Sequence, residues 1–244
     1  MATAGSLPRM VTDMGGRDMV RGLFAVLSAL WLTEALGAAA PADLNGKWIA
    51  VGTTTEIRTS AGRAPPLRPA AAQAKAQTLA ALGRGDRSSD SATHCIPPGV
   101  PRLYGWRTPF LIAQRPYLVL MLFQSERLVR QIYLQDRYPA GIDASHLGNS
   151  TGHWNGSELV IETSDFKSGG WLDDAGTPFS ASLHLTERLT RRGSKLIDKI
   201  EIDDPQNYSG RWQATVEFKA LPGNAIAEDV CVDRMGLLPK ELRP

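Results

Sequence analysis

Histidine and cysteine are scarce in this sequence, which has four histidines and two cysteines among 244 residues. The histidines do not have the close spacing of a metal-binding helix, and no HExxH motif occurs. A zinc site would need three or four ligands brought together from distant parts of the chain. We therefore expect neither a bound metal nor another cofactor.

The sequence also lacks the glycine-rich motifs that hold nucleotides, since it contains neither a Walker loop nor GxGxxG after a predicted strand. A GxSxG pattern occurs by letter around Ser150, but a hairpin turn follows where a nucleophile elbow needs a helix. Helices and strands do not alternate as in α/β enzymes. These absences argue against a P-loop ATPase, a Rossmann enzyme and an α/β-hydrolase.

Neither sign of charge is in excess, because 27 basic residues face 25 acidic ones for a net charge of +2. Nucleic-acid binding requires a clustered basic surface. The adjacent Arg191 and Arg192 lie in a predicted turn, where charged side chains are usually solvated. We therefore expect no nucleic-acid partner.

An apolar run covers residues 22–32, which is shorter than the ~20 residues of a membrane-spanning helix. Arg17 and Arg21 precede it and alanines follow at 38–40, as in a secretory signal peptide. We predict a signal peptide over 1–40, a periplasmic or secreted location, and no stable membrane span after signal removal. An uncleaved anchor or a buried helix is the alternative interpretation of this run.

The two cysteines, Cys95 and Cys231, lie far apart in the sequence. In an exported protein such a pair is expected to form one disulfide bond. Because the pairing is inferred from the compartment alone, two separate buried thiols remain the alternative.

The part of the chain after residue 91 consists mainly of short predicted strands separated by turn signals. Asn155-Gly156 is the clearest of these signals, because both residues of a tight hairpin turn need positive φ. The predicted hairpins pair 117–123 with 127–135, 150–154 with 158–163, 181–190 with 195–203, and 213–221 with 225–230. A meander of this kind hides its edges by closing. We therefore predict an all-β fold, an antiparallel meander that closes into a β-barrel of about eight to ten strands.

Residues 52–91 interrupt the predicted strands and are rich in alanine, arginine, proline and glycine. Within them 70–82 has the composition of a short helix, preceded by prolines and ended by Gly83. We interpret 52–91 as a surface insertion, so that 41–244 forms a single domain.

A series of short motifs between about Cys95 and Cys231 reads CIPPGVPR, RQIYLQDRYP, GNSTGHWNGSELVIET, WLDDAGTPFSASLHLTERL and IDDPQNY. In these motifs the chain resembles a group of uncharacterised exported bacterial β-rich proteins. The resemblance implies the same β-rich fold and an envelope or extracellular location, and it implies little about chemistry. Gly46-Lys47-Trp48 is in addition similar to the Gly-x-Trp opening of lipocalin-like barrels.

The sequence departs from this group at three positions. Proteins of the group often carry histidine where this chain has Tyr138 and Phe179, and an acidic residue where it has Ser157. If those histidines have a role in acid–base chemistry or metal binding, that role is lost or altered here.

Glu187 is the most informative single residue, because it shares one face of a predicted strand with three leucines. Burial would raise the pKa of such a carboxyl group and prepare it for acid–base chemistry, whereas an arginine on a neighbouring strand would make it a structural ion pair. A catalytic site would combine it with His153 or His184 and with support from Arg188 or Asp173. For Asp173, a role in stabilising its turn is the alternative.

Three functions are compatible with a barrel of this kind. The first is binding of a small, partly apolar ligand by aromatic residues that line a pocket. The residues proposed to line it are Trp48, Trp106, Tyr133, Trp154 and Trp171. The second is a cofactor-free lyase, isomerase or hydratase with an acid–base pair in the barrel. The third is a structural or assembly factor of the cell envelope, acting through a sheet edge or the insertion.

Overall fold

A computed structural model describes residues 39–52, 55–134, 139 and 141–236 of the chain. The predicted signal peptide lies outside the described residues except for its last two positions, and Tyr138 lies outside them as well. The compact unit that begins at Ala38 contains the barrel.

Nine strands form one closed barrel in which every strand pairs with its neighbour in the sequence and the last pairs with the first. These strands are β1 (Gly46–Ala50), β2 (Phe110–Arg115), β3 (Leu118–Phe123), β4 (Val129–Tyr133), β5 (Asn149–Asn155), β6 (Glu158–Ser164), β7 (His184–Arg192), β8 (Lys195–Asp203) and β9 (Trp212–Leu221). The predicted all-β barrel is therefore confirmed, with a strand number inside the expected range. Closure gives each of these strands a partner on both sides.

The helices among the described residues lie in the connections between strands or, in the case of the last, after β9. They are α1 (Pro69–Gly83), α2 (Arg102–Gly105) and α3 (Cys231–Arg234), with single 3₁₀ turns at Ser91–His94 and Ser125–Arg127. The helix predicted within the insertion is α1, which begins with proline at its first position and extends one residue further at each end. The others span one turn, too short to leave a periodic pattern in the sequence. No helix in the described part of the chain is long and apolar enough to span a bilayer.

One pair of strands, β4 and β5, is parallel, whereas all other neighbours are antiparallel. The reason is parity: nine strands cannot alternate in direction around a closed ring without one parallel pair. A parallel pair needs a connection of about a dozen residues or more, because the chain must return along the barrel. Residues 134–148 provide that connection. The pairing itself is short, with Ile132 opposite Ser150 and Tyr133 opposite Thr151.

The last predicted hairpin is wrong. Residues 213–221 belong to β9, but 225–230 form no strand, and β9 pairs with β8 and β1. The first strand of the barrel thus occupies the edge that the predicted partner would have taken. The segment after β9 instead leads to α3, where Cys231 forms a disulfide bond with Cys95. The expected disulfide is therefore present in the structure.

The barrel interior follows the two-residue alternation of the strands. Large apolar side chains fill it and come from every strand, although β5 contributes only the half-buried Trp154, because Ser150 and Gly152 on the same face are small. They include Trp48, Phe110, Met121, Phe123, Ile132, Leu159, Leu185, Leu196, Ile200 and Phe218, each no more than 2% exposed. The lumen is thus a packed core, and it contains a small group of charged and hydroxyl side chains at its centre.

The two ends of the barrel differ. At one end, which we call the closed end, the Arg191 guanidinium lies 5.4 Å from the centre of the Trp48 ring and donates to the Asp43 carbonyl oxygen. The Trp48 indole N–H donates to the Leu44 carbonyl oxygen at 3.0 Å. At the opposite end, which we call the mouth, α2 inserts Tyr104 between the strand ends. The insertion and α3 also lie at the mouth.

Candidate functional site

A fully buried ion pair occupies the centre of the lumen. Arg130 of β4 and Glu187 of β7 are 1% and 0% exposed, and both guanidinium Nη atoms donate to the Glu187 carboxylate. Arg130 also donates to the hydroxyls of Ser150 and Thr163, at 3.1 and 2.8 Å. Because the two strands are not neighbours, the ion pair spans the lumen. Breaking such a pair leaves an uncompensated buried charge and costs several kcal/mol, about 3–5.

Two further titratable groups contact or neighbour this pair. The Tyr104 hydroxyl donates to Glu187 Oε1 at 2.8 Å and accepts from Arg130 Nη1 at 2.8 Å. Burial, followed by the charge of Glu187, raises the pKa of Tyr104 well above its usual value. Asp198 of β8 faces inward beside Glu187, and neither of its oxygens has a hydrogen-bond partner of good geometry among the described residues. Burial and the charge of Glu187 raise the pKa of Asp198 well above the ordinary range.

The shifts of the pKa values favour a state in which the four groups carry one opposite pair of charges. Burial opposes ionisation of Glu187, but the charge and hydrogen bonds of Arg130 outweigh it and lower the pKa of that carboxyl group. The raised pKa values of Asp198 and Tyr104 favour the protonated, neutral forms of both groups. This assignment avoids a second buried negative charge, which the single guanidinium could not compensate.

The structure does not bring the proposed catalytic residues together. Glu187 faces the lumen, whereas His184 and Arg188 on the same strand face outward and His153 lies on the outside of β5. His184 contacts Glu162 at 3.2 Å, and Arg188 contacts Glu158 at 3.3 Å. The barrel wall separates these side chains from Glu187, so they cannot act with it on one substrate.

Asp173 lies in the loop between β6 and β7 and organises that loop. Its carboxylate accepts from the backbone N–H groups of Ala175, Thr177 and Ile57 at 2.9–3.0 Å. The Thr177 hydroxyl also donates to it, at 2.5 Å. All these interactions hold backbone in place, in agreement with the turn-stabilising alternative.

The mouth carries a second network, centred on the buried Arg102 of α2. Its guanidinium donates to both oxygens of Asp90 and to Asp174 Oδ1, each at 2.8 Å. The rings of Trp106 and Trp171 lie on the same guanidinium, with centres 5.7 and 5.1 Å away. Desolvation lowers the pKa of Arg102, but its hydrogen bonds to the two aspartates outweigh this and raise it. The network thus fixes α2 to the loops around it.

A cleft of about 580 Å³ opens beside this network, and we call it the mouth cleft. Its walls come from the end of the insertion, from α2 and the residues after it, and from α3. Trp106, Ala92 and Met235 provide apolar surface, whereas arginines and aspartates provide charge. The charged residues of its lining are Arg87, Asp90, Arg102, Arg107, Asp174, Asp229 and Arg234. Small-molecule sites commonly have volumes of about 300–1,000 Å³.

The arginines of the mouth cleft are not equivalent. Arg102 is held by two aspartates, and Arg234 is held by Glu126 and Asp229. Arg107 is exposed and forms no ion pair or hydrogen bond with any residue that the structure describes. Its φ of 54° is unusual for a residue with a side chain, since this conformation costs about 1–2 kcal/mol. Arg107 therefore presents an uncompensated positive charge to the cleft.

The five aromatic residues proposed to line one pocket lie in four places. Trp106 lines the mouth cleft, and Trp171 packs beneath it on Arg102. Trp48 is buried at the closed end, and Trp154 borders a surface hollow at the same end. Tyr133 lines a hollow of about 440 Å³ between β4 and the connection to β5. The structure thus assigns one of the five, Trp106, to the surface of the mouth cleft.

Sequence reasoning missed Arg130, Asp198, Tyr104 and Arg102. A usable signal existed for Asp198, because it alternates with Leu196, Ile200 and Ile202 just as Glu187 alternates with leucines. For Arg130 the strand is short, and only Ile132 marks the inward face. No periodic pattern identifies the residues of a one-turn helix such as α2.

Fold and site together define the class: a closed nine-stranded β-barrel protein with an ion pair at its centre and a charged cleft at its mouth. Phe179, one of the departures from the resembled group, is buried against Phe166 with ring centres 5.9 Å apart. Ser157 is exposed in the β5–β6 turn. No family model, curated protein or solved structure matches the chain. Within the described ranges, no group of three or more potential ligands is arranged to hold a metal ion.

Proposed function

We propose that this protein is exported and binds a small, partly apolar, anionic ligand in the mouth cleft. The observation that carries the proposal is the pairing of apolar surface with a free cation in one concave site, Trp106 with Arg107. An aromatic ring takes up an apolar body, while a guanidinium holds a carboxylate or a similar anion.

The walls of the cleft are also held in place before a ligand binds. This favours binding, because the protein then loses little conformational entropy when the complex forms. Arg102, Asp90 and Asp174 fix one wall. The Cys95–Cys231 disulfide joins the 3₁₀ turn on one side of the cleft to α3 on the other. A disulfide of this kind supports the proposed periplasmic or secreted location, as does the resemblance of the motif series to exported proteins.

Native mass spectrometry of protein purified from the compartment that it occupies tests the proposal directly. We expect one small anionic molecule per chain, released on denaturation and identifiable by its mass. An isolated protein that carries nothing, and that takes up no anionic molecule from an extract of that compartment, would contradict tight ligand binding.

Matched variants locate the site once the molecule is identified. Trp106→Ala and Arg107→Ala should each weaken binding by about tenfold or more, since each removes one recognised part of the ligand. Trp154→Ala and Arg115→Ala remove the same residue types from the closed end and should leave affinity unchanged. Equal losses from both pairs would place the ligand elsewhere.

A further inference from the structure

The Tyr104 side chain lies in the lumen although Tyr104 belongs to α2 and not to a strand of the barrel. Its side chain is 3% exposed and its ring lies among three phenylalanines. The ring centres of Phe110, Phe123 and Phe218 are 6.2, 6.0 and 5.2 Å away, and Phe218 meets it edge to face. These distances are those of favourable aromatic pairs.

The phenol hydroxyl meets a matched donor and acceptor at the base of this aromatic pocket. It donates to Glu187 Oε1 and accepts from Arg130 Nη1, both at 2.8 Å. The carboxyl group of Asp198 lies close by, without a well-formed hydrogen bond among the described residues. An aromatic enclosure that ends in a charged acceptor and a charged donor is a complete recognition site for a phenol.

The helix that carries Tyr104, α2, is short, and its contacts with residues outside the barrel wall hold it in place. α2 has four residues, and Arg102 fixes it through Asp90 and Asp174. A cavity of about 70 Å³ lies beside Tyr104, between α2, the end of β1 and residues 215–217 in the middle of β9. The pocket of the phenol ring therefore continues toward the mouth, in the direction from which α2 enters.

We propose that the lumen is a binding site for free phenols, which Tyr104 fills in this conformation, and that a phenolic ligand takes the same place when α2 moves out. The ligand hydroxyl would donate to Glu187 and accept from Arg130, and its ring would contact Phe110, Phe123 and Phe218. This site is separate from the mouth cleft, and neither proposal depends on the other.

The test uses p-cresol, which has the shape of the tyrosine side chain, and toluene, which lacks only its hydroxyl. In a Tyr104→Gly variant p-cresol should bind one to one by calorimetry and raise the melting temperature. Toluene should bind at least about tenfold more weakly, since hydrogen bonds to charged groups distinguish the two. Tyr104→Phe fills the pocket and should bind neither, so any signal it gives reports binding at the mouth cleft.

A second variant tests the movement of α2 and does not depend on the folding of Tyr104→Gly. Arg102→Ala removes the anchor of α2 and retains Tyr104, and it should gain p-cresol binding that wild type lacks. Arg68→Ala, which alters an arginine of the insertion away from α2, is the matched control and should bind like wild type. Equal affinity of folded Tyr104→Gly for toluene and p-cresol, or no affinity for either, would overturn the phenol site. Failure of folded Arg102→Ala to bind p-cresol would overturn the movement of α2.

Discussion

At the scale of single residues, Asp198 is a buried carboxyl group whose oxygens lack a hydrogen-bond partner of good geometry among the described residues. It is buried next to a carboxylate that already has the only guanidinium of the central cluster, and its raised pKa favours the protonated form. An acid whose folded-state pKa is raised gives stability that is fully present below its unfolded pKa and is lost as pH rises through the folded pKa. Asp198 therefore opposes folding increasingly as the solution becomes less acidic.

Replacing Asp198 with asparagine should remove this dependence, because the amide has nearly the same shape and no proton to lose. The free energy of unfolding of Asp198→Asn should exceed that of wild type by an amount that grows with pH. From about pH 4 up to the folded-state pKa the difference should increase by about 1.4 kcal/mol per pH unit. Urea unfolding of both proteins between about pH 4.5 and 8.5 measures it.

Glu217→Gln is the matched control, because Glu217 is an exposed carboxylate on the next strand. Its difference from wild type should stay within about 0.5 kcal/mol over the same pH range. If the difference for Asp198→Asn were as flat as this, Asp198 would be an ordinary ionised carboxylate in the folded protein.

The sequence predicts whether a side chain points into the barrel where apolar and polar residues alternate over several positions of a strand. It does not predict which side chains of other strands that residue contacts. The alternation of Glu187 with Leu185 and Leu189 correctly places it inside, and an ion pair with an arginine is one of the two roles that the sequence predicts for it. That partner, Arg130, lies on a strand that is not a neighbour of β7. Which side chains meet across a lumen depends on the closure and stagger of the whole barrel, and the local pattern does not contain this information.

At the scale of elements, the junction of β4 and β5 is the weakest part of the wall. The two strands pair at two positions, whereas β5 pairs with β6 along its whole length. The sequence predicts β5 and β6 well, because the turn sequence Asn155-Gly156 between them is typical of a tight hairpin. The parallel junction has no such turn, and it could not be predicted without knowing that the strand number is odd.

Amide hydrogen exchange should reveal this junction. Amides of β5 that donate to β4 should exchange at least about tenfold faster than amides of the same strand that donate to β6, because local opening costs less free energy where fewer bonds must break together. β8, which pairs along its length with both β7 and β9, provides the slow reference. Uniform protection across β5 would show that the barrel opens as one cooperative unit and that the junction is not weak.

At the scale of the whole molecule, the disulfide bond that links distant parts of the chain lies at the mouth of the barrel and not at the closed end. Hairpins form the closed end, whereas the long connections, α2 and α3 meet at the mouth. Turn spacing in the sequence predicted closure correctly, but it led to a false last hairpin at 225–230. The segment after β9 instead leads to Cys231, which is bonded to Cys95. The two cysteines in the sequence indicate this bond, whereas the pattern of predicted strands does not.

The Cys95–Cys231 bond joins positions 136 residues apart, so it restricts a large part of the unfolded chain. In the chain-entropy model a loop of this size stabilises the folded state by about 4–5 kcal/mol. Changing both cysteines to serine should lower the free energy of unfolding by about that amount, measured by urea denaturation. Wild type unfolded in the presence of a reductant should show the same loss, since both experiments remove the same constraint. A loss below about 1 kcal/mol in both would mean that the unfolded chain remains compact around the mouth even without the bond.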